Sequence, residues 1–147
     1  MIKITVAELL EAAPVLQSLN QARLPARGAY RATRLMSALG TELKTASESR
    51  NKLFLEYGQE RRRCVSCGEI FAVDVETCPK CQAPKGPDEQ SLVRDVKPER
   101  MEAFLAELKP LLETVIEIAA EPLPLSSIEA LEWTPAEMRC LAPFLVE

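Results

Sequence analysis

Four cysteines within a single short segment constrain this chain more than any other feature. Cys64 to Cys81 reads CVSCGEIFAVDVETCPKC, two Cys-x-x-Cys pairs with ten residues between them. That spacing lets two tight turns present four thiolates, Cys64, Cys67, Cys78 and Cys81, to one tetrahedral ion. Gly68 after the first pair and Pro79 inside the second are residue types that such turns use to aim backbone amides at sulfur. The expected cofactor is one structural Zn2+, because four thiolates leave no open position for water or substrate. Disulfides, a redox-active Cys-x-x-Cys and a rubredoxin-like iron stay open as alternatives. The segment is too short to build much core, so metal binding is expected to supply most of its folding free energy.

The rest of the chain sets limits on chemistry. At 147 residues it suits one domain, or one domain with a small module. Apolar residues make up 47% and charged residues 27%, a globular balance, and the formal charge of −4 argues against nonspecific binding to nucleic acid. Histidine is absent, which excludes mixed cysteine–histidine metal sites, Ser-His triads and every imidazole acid/base scheme. Met1-Ile2-Lys3-Ile4 runs straight into a helix start rather than a signal peptide, and no apolar run approaches the ~18 residues that span a bilayer. The expectation is a cytoplasmic protein without a membrane partner, in a reducing compartment where paired cysteines hold metal.

Periodicity points to a mainly α fold. Ile2-Lys3-Ile4 suits a short strand, and Thr5-Val6-Ala7-Glu8 is a capping box that opens a first helix with Leu9, Leu10, Ala13, Leu16 and Leu19 inward. Pro14 is expected to interrupt or kink it. After a turn at Asn20–Leu24, Pro25 starts a long helix running to about Arg62, with a seam of Ala29, Ala32, Met36, Leu39, Leu43, Ala46, Leu53 and Tyr57. Arg50 breaks that seam and suits a buried ion-pair member, a register marker or, more commonly for such an arginine, a side chain that snorkels at its edge. Phe71, Val73 and Val75 alternate like a short strand, and residues 83–87 have strong turn chemistry.

Lys97-Pro98-Glu99 opens a third helix carrying Met101, Phe104, Leu105, Leu108, Leu111, Leu112, Val115 and Ala119, with Pro110 as a kink, ended by Glu121–Pro124. Ser126–Glu129 suits one capped turn. Thr134-Pro135-Ala136-Glu137 opens a last helix, Pro135 to Leu145, with Met138, Cys140, Leu141 and Leu145 inward. The simplest assembly is an antiparallel long-helix hairpin with the zinc module at its tip and short helices at its base. The expected divisions are residues 1–62, 63–86 and 87–147, the first and last packing as one domain.

Two basic groups are candidate contacts for a partner or nucleic acid. Arg23, Arg27, Arg31 and Arg34 fall three or four residues apart on one helix face, which suits either a solvated surface or an anchor for phosphates or an acidic protein. Arg61, Arg62 and Arg63 precede the first cysteine, with Lys80 and Lys85 nearby. They suit nucleic-acid contact, or compensation of a dianionic zinc tetrathiolate. Glu113, Glu117 and Glu121 read as a solvated face, and lone Cys140 as a core residue. With no Gly-rich phosphate loop and no paired acid/base groups, an enzyme is not expected.

Leu24-Pro25-Ala26, Ala29-Tyr30, the run Leu53 to Gly58, and the tail Ile128–Glu132 followed by Thr134–Glu137 together resemble a group of small uncharacterised proteins of tailed bacteriophages. The likeness covers the helical framework, about two thirds of the chain, and implies a phage origin without bringing any catalytic residue. The cysteine segment departs from that framework and resembles zinc-ribbon modules, which contact proteins and nucleic acids alike. The expected function is therefore a noncatalytic zinc-binding protein that binds a host protein, such as a host enzyme or defence component. The alternatives are a zinc-ribbon nucleic-acid-binding regulator and a virion accessory protein.

Overall fold

Ile2 and Ile4 alternate with polar neighbours, and this period-two pattern makes β1 (Ile2–Thr5) of a computed structural model that describes residues 1–82 and 90–147. The protein is mainly helical, with short strands and a cysteine cluster. It divides into two compact units, one of residues 1–50 with 109–147 and the other of residues 51–108.

In the first unit the capping box forms as the sequence implies. The Thr5 hydroxyl accepts from the Glu8 amide, and the Glu8 carboxylate accepts from the Thr5 amide at 2.7 Å. The helix it opens, α1 (Val6–Gln21), buries Val6, Leu9, Ala12, Leu16 and Leu19, so Ala12 takes the inward position expected of Ala13. Pro14 does not interrupt α1. It sits on the exposed face, where its missing N–H deprives only the Leu10 carbonyl of a donor. The long helix α2 (Ala26–Tyr57) follows and buries Ala32, Leu35, Leu39 and Ala46. Leu35, absent from the expected seam, is almost completely buried, and Met36 and Leu43 pack half-buried against the same core.

Two helix ends differ from the sequence expectation. The third helix begins as a 3-10 turn at Pro98–Arg100 and continues as α3 (Met101–Glu113), but it stops there rather than near Ala119. The run Thr114-Val115-Ile116-Glu117-Ile118 is β-branched at four of its five positions, and β1 offers it a matching edge. It therefore forms β5 (Val115–Ile118), antiparallel to β1, with Ile2 opposite Ile118 and Ile4 opposite Ile116. These isoleucines join the core that Leu9, Leu16, Leu39, Ile128, Leu141 and Phe144 build. The last helix is also shorter than expected. The Thr134 capping box opens α4 (Pro135–Leu141), and Pro143 has no N–H for the Arg139 carbonyl, so the chain passes into a 3-10 turn at Ala142–Phe144. The Trp133 indole donates to the Ile128 carbonyl at 3.3 Å and ties the segment before α4 to the turn ahead of it.

The second unit departs furthest from a helical reading. The long helix ends at Tyr57, not Arg62. Gly58 explains the break, because a Cβ there would lie 2.2 Å from the Phe54 carbonyl oxygen, leaving glycine as the residue that lets the chain turn away. Gly58 opens β2 (Gly58–Cys64), which lies between β3 (Ile70–Ala72) and β4 (Gln90–Val96) in an antiparallel sheet of order β3-β2-β4. The strand expected over Phe71–Val75 is thus confined to Ile70–Ala72, while β4 lies in a stretch for which no element was expected. Phe104 packs edge-on to Tyr57 and 5.0 Å from the Phe54 ring, joining the end of α2 to the start of α3. Val96, Leu53 and Leu108 complete that cluster. The Arg100 guanidinium lies 4.6 Å over the Tyr57 ring, and the Tyr57 hydroxyl donates to Glu107, which raises the tyrosine pKa above its ordinary value.

Candidate metal centre

The centre is built from two turns of the same design. The Cys64 carbonyl accepts from the Gly68 amide at 2.8 Å, and the Cys78 carbonyl accepts from the Gln82 amide at the same distance. Both acceptor turns close on a residue in the left-handed region, Gly68 at φ 75° and Gln82 at φ 58°. Glycine adopts that conformation freely, whereas glutamine does so at a cost of about 1 kcal/mol. The sheet places the first pair: β2 delivers Cys64 at its end, and the Cys64 amide donates to the Glu69 carbonyl at 2.8 Å as the chain returns into β3. Arg62 in β2 donates to the Val73 carbonyl at 2.8 Å, which fixes the path from β3 toward the second pair.

The four sulfurs converge. Tetrahedral coordination at about 2.3 Å requires sulfurs about 3.8 Å apart. Cys64 and Cys81 have Sγ atoms 3.4 Å apart, Cys67 and Cys78 3.5 Å, and all four lie within 4.8 Å of one another. These separations exceed the ~2.05 Å of a disulfide, and all five cysteines are free thiols. The donor set therefore fits a metal ion held by four cysteines. Cys64 and Cys78 are buried, Cys67 is half-buried, and Cys81 reaches the surface.

Local electrostatics also favour a cation. The Cys67 amide, acting on the Cys64 sulfur, holds that thiol below its ordinary pKa. Burial pushes Cys78 up, but the amides of Cys81 and Lys80 outweigh it and bring the thiol down to about 7. On Cys67 the strongest influence is the Glu69 amide, which lowers it, yet burial and the sulfurs of Cys78, Cys81 and Cys64 together push it up to about 12. Four sulfurs this close resist becoming four thiolates by themselves, and a dication at their centre removes that repulsion.

Among the described residues, Phe71 is the one buried apolar side chain packed with the cysteines. Burying a phenylalanine contributes roughly 3 kcal/mol at most, whereas ordering each residue costs about 1 kcal/mol or more. The knuckles cannot hold themselves together on that packing alone.

The basic candidates separate into different settings. Arg61 pairs with Asp95 at 3.2 Å and also donates to the Ile70 carbonyl, so it serves the sheet, as Arg62 does. Arg63 and Lys80 are exposed near the cysteines, and Lys85 lies outside the described residues. In the first unit Arg27, Arg31 and Arg34 line one groove, whereas Arg23 lies exposed in the connection between α1 and α2. Cys140 is half-buried against the first unit's core.

Sequence reasoning missed the amide donors of Ser66, Glu69 and Lys80, which follow from the knuckle spacing once the four cysteines converge. It also missed Asp95, whose partnership with Arg61 depends on β2–β4 pairing that no local pattern announces. Among the described residues no helix is long and apolar enough to cross a membrane. Set against family models, curated proteins and solved structures, the chain matches none of them.

Proposed function

We propose that this chain is a noncatalytic zinc-binding interaction protein, in which one structural Zn2+ organises residues 51–108 and the surface of that unit binds a partner protein. The observation that carries the reading is the exposure of large aliphatic side chains on a unit whose own apolar clusters are small. Leu55, Val65, Leu92 and Leu105 are 62%, 61%, 60% and 50% exposed. Contiguous apolar surface is what protein interfaces bury, and these four side chains are among those this unit offers toward it. Zinc is favoured over iron because a closed four-thiolate site in a small module is its ordinary structural form. Four sulfur ligands would fill its coordination sphere, which supports a structural rather than a catalytic metal.

Within residues 51–108 the end of α2 packs on the start of α3, which supports a helical hairpin. The likeness of the helical framework to tailed-phage proteins supports a phage-encoded protein whose partner is a bacterial protein. Arg61 and Arg62 are engaged within the sheet, which weighs against the arginine run as a phosphate-binding tip. The test is affinity purification of the tagged, metal-loaded chain from bacterial lysate beside a Val65→Asp/Leu92→Asp variant that retains metal. The expected result is a stoichiometric protein recovered by the unmodified chain and lost with the variant. Recovery of no such protein, or equal recovery by both, contradicts the reading.

A further inference from the structure

The first unit carries a groove of about 610 Å3, within the size range of small-molecule sites, that the metal centre does not involve. One wall is a face of α2 bearing Arg27, Arg31 and Arg34, which span about 10 Å of helix. Among the described residues none forms an ion pair or hydrogen bond with these three guanidinium groups, and Arg31 is half-buried. Three positive groups are thus gathered without partners on a chain of net charge −4. The groove has an apolar side as well. Leu35, Ala38, Ala119 and Ala120 line it, together with Tyr30, which is 65% exposed.

Arg27 and Arg31 also line an adjoining groove of about 260 Å3 with Ser126 and Ser127. Ser127 approaches the helix closely because Gly28 has no side chain. A Cβ there would lie 3.3 Å from the Ser127 Cβ.

We propose that these two grooves, which share Arg27 and Arg31, bind a nucleoside phosphate, its ring against Tyr30 and the alanine-lined wall, and its phosphates along Arg27, Arg31 and Arg34 toward the serine hydroxyls. Arginine forks match phosphate oxygens two at a time, and an aromatic face accepts any base. Small alanine side chains leave a slot suited to a flat ring. The phosphates would be held by side chains, in keeping with a sequence that has no Gly-rich phosphate loop. Glu121, the acidic residue of the lining, is suited to accept hydrogen bonds from sugar hydroxyls or base N–H groups. The inference goes beyond the protein-partner reading and depends on different residues, so either can fail alone.

The test is calorimetric titration of the metal-loaded full chain with ATP, GTP, inorganic tripolyphosphate, a 5′-phosphorylated oligothymidylate and polyglutamate. The expected result is saturable one-to-one binding of a nucleotide, weakened about tenfold or more by Arg27→Gln or Arg31→Gln, since each removes a charge-assisted hydrogen bond. Tyr30→Ala should weaken nucleotide binding and leave tripolyphosphate unchanged, which separates stacking from simple charge attraction. Binding of the oligonucleotide alone, with the same sensitivity to these variants, would locate the nucleoside phosphate at the end of a nucleic-acid strand. No saturable binding of nucleotide or oligonucleotide overturns the proposal. So does affinity unchanged in the arginine variants with unaltered circular dichroism, or polyglutamate binding as tightly as nucleotide.

Discussion

Gly68 and Gln82 occupy the same place in the two knuckles, and they differ in what left-handed backbone costs them. A Cβ at Gly68 would meet nothing within 4 Å, so Gly68→Ala tests conformation without a steric clash. Strain of about 1–2 kcal/mol, partly offset by lower unfolded-chain entropy, leaves an expected net loss of about 1 kcal/mol. Metal affinity measured by competition with a chromogenic chelator should fall about fivefold. Gln82→Gly should change it in the opposite direction, by less.

A second residue-scale prediction concerns Glu8. Its hydrogen bond from the Thr5 amide, and next that from the Thr5 hydroxyl, hold its pKa below the ordinary 4.5. A depressed carboxylate pKa stabilises the fold above that ordinary value, and the benefit is lost as pH falls through the folded-state value. Glu8→Gln should therefore lower the thermal midpoint at neutral pH, with the difference closing on acidification below 4.5. Both the cysteine cluster and the caps were legible in the sequence because each rests on a short-range relation, Cys to Cys three apart or Thr to Glu three apart. Tyr30, three residues after Arg27 and four before Arg34, is a neighbour of the arginines by the same short-range rule, whereas the opposing wall of Ala119 and Ala120 appears only in the fold.

At the scale of elements, the boundaries show where local pattern stops being sufficient. Gln59 to Arg63 are good helix formers, yet they lie in β2 because β4 supplies a partner strand along its whole length, Gly58 opposite Val96 through to Cys64 opposite Gln90. A non-local pairing of this kind cannot be read from a charged run. By contrast, Val115–Ile118 did carry a visible signal. Its β-branched alternation matches Ile2–Ile4, and the helical period read through it was the weaker of two available patterns.

Gly58 is the hinge between the regimes in the second unit. Gly58→Ala would bring a methyl group against the Phe54 carbonyl, the Arg94 side chain and the Asp95 carbonyl. Relief requires the junction of α2 and β2 to shift, at an expected cost of about 2 kcal/mol. Chemical denaturation of the metal-loaded protein should show a lower midpoint. Gly40→Ala, where the added group meets nothing, should be neutral or stabilising.

For the whole molecule, the two units rest on different physics. Residues 1–50 with 109–147 bury Leu9, Leu16, Leu19, Leu39, Ile128, Leu141 and Phe144 in one apolar core, which hydrophobic burial can sustain. Residues 51–108 have the Tyr57–Val96–Phe104 cluster and, around the cysteines, Phe71. There an ion held by the four cysteines would contribute on the order of 10 kcal/mol, more than side-chain packing supplies.

Hydrogen exchange, read segment by segment with the metal bound and again in strong chelator with reductant, tests this division most directly. The account predicts that metal removal abolishes amide protection across β2, β3 and the two knuckles, while α1 and the β1–β5 pair keep theirs. Protection over Gly58–Cys64 and Ile70–Ala72 that is the same with and without metal would contradict it.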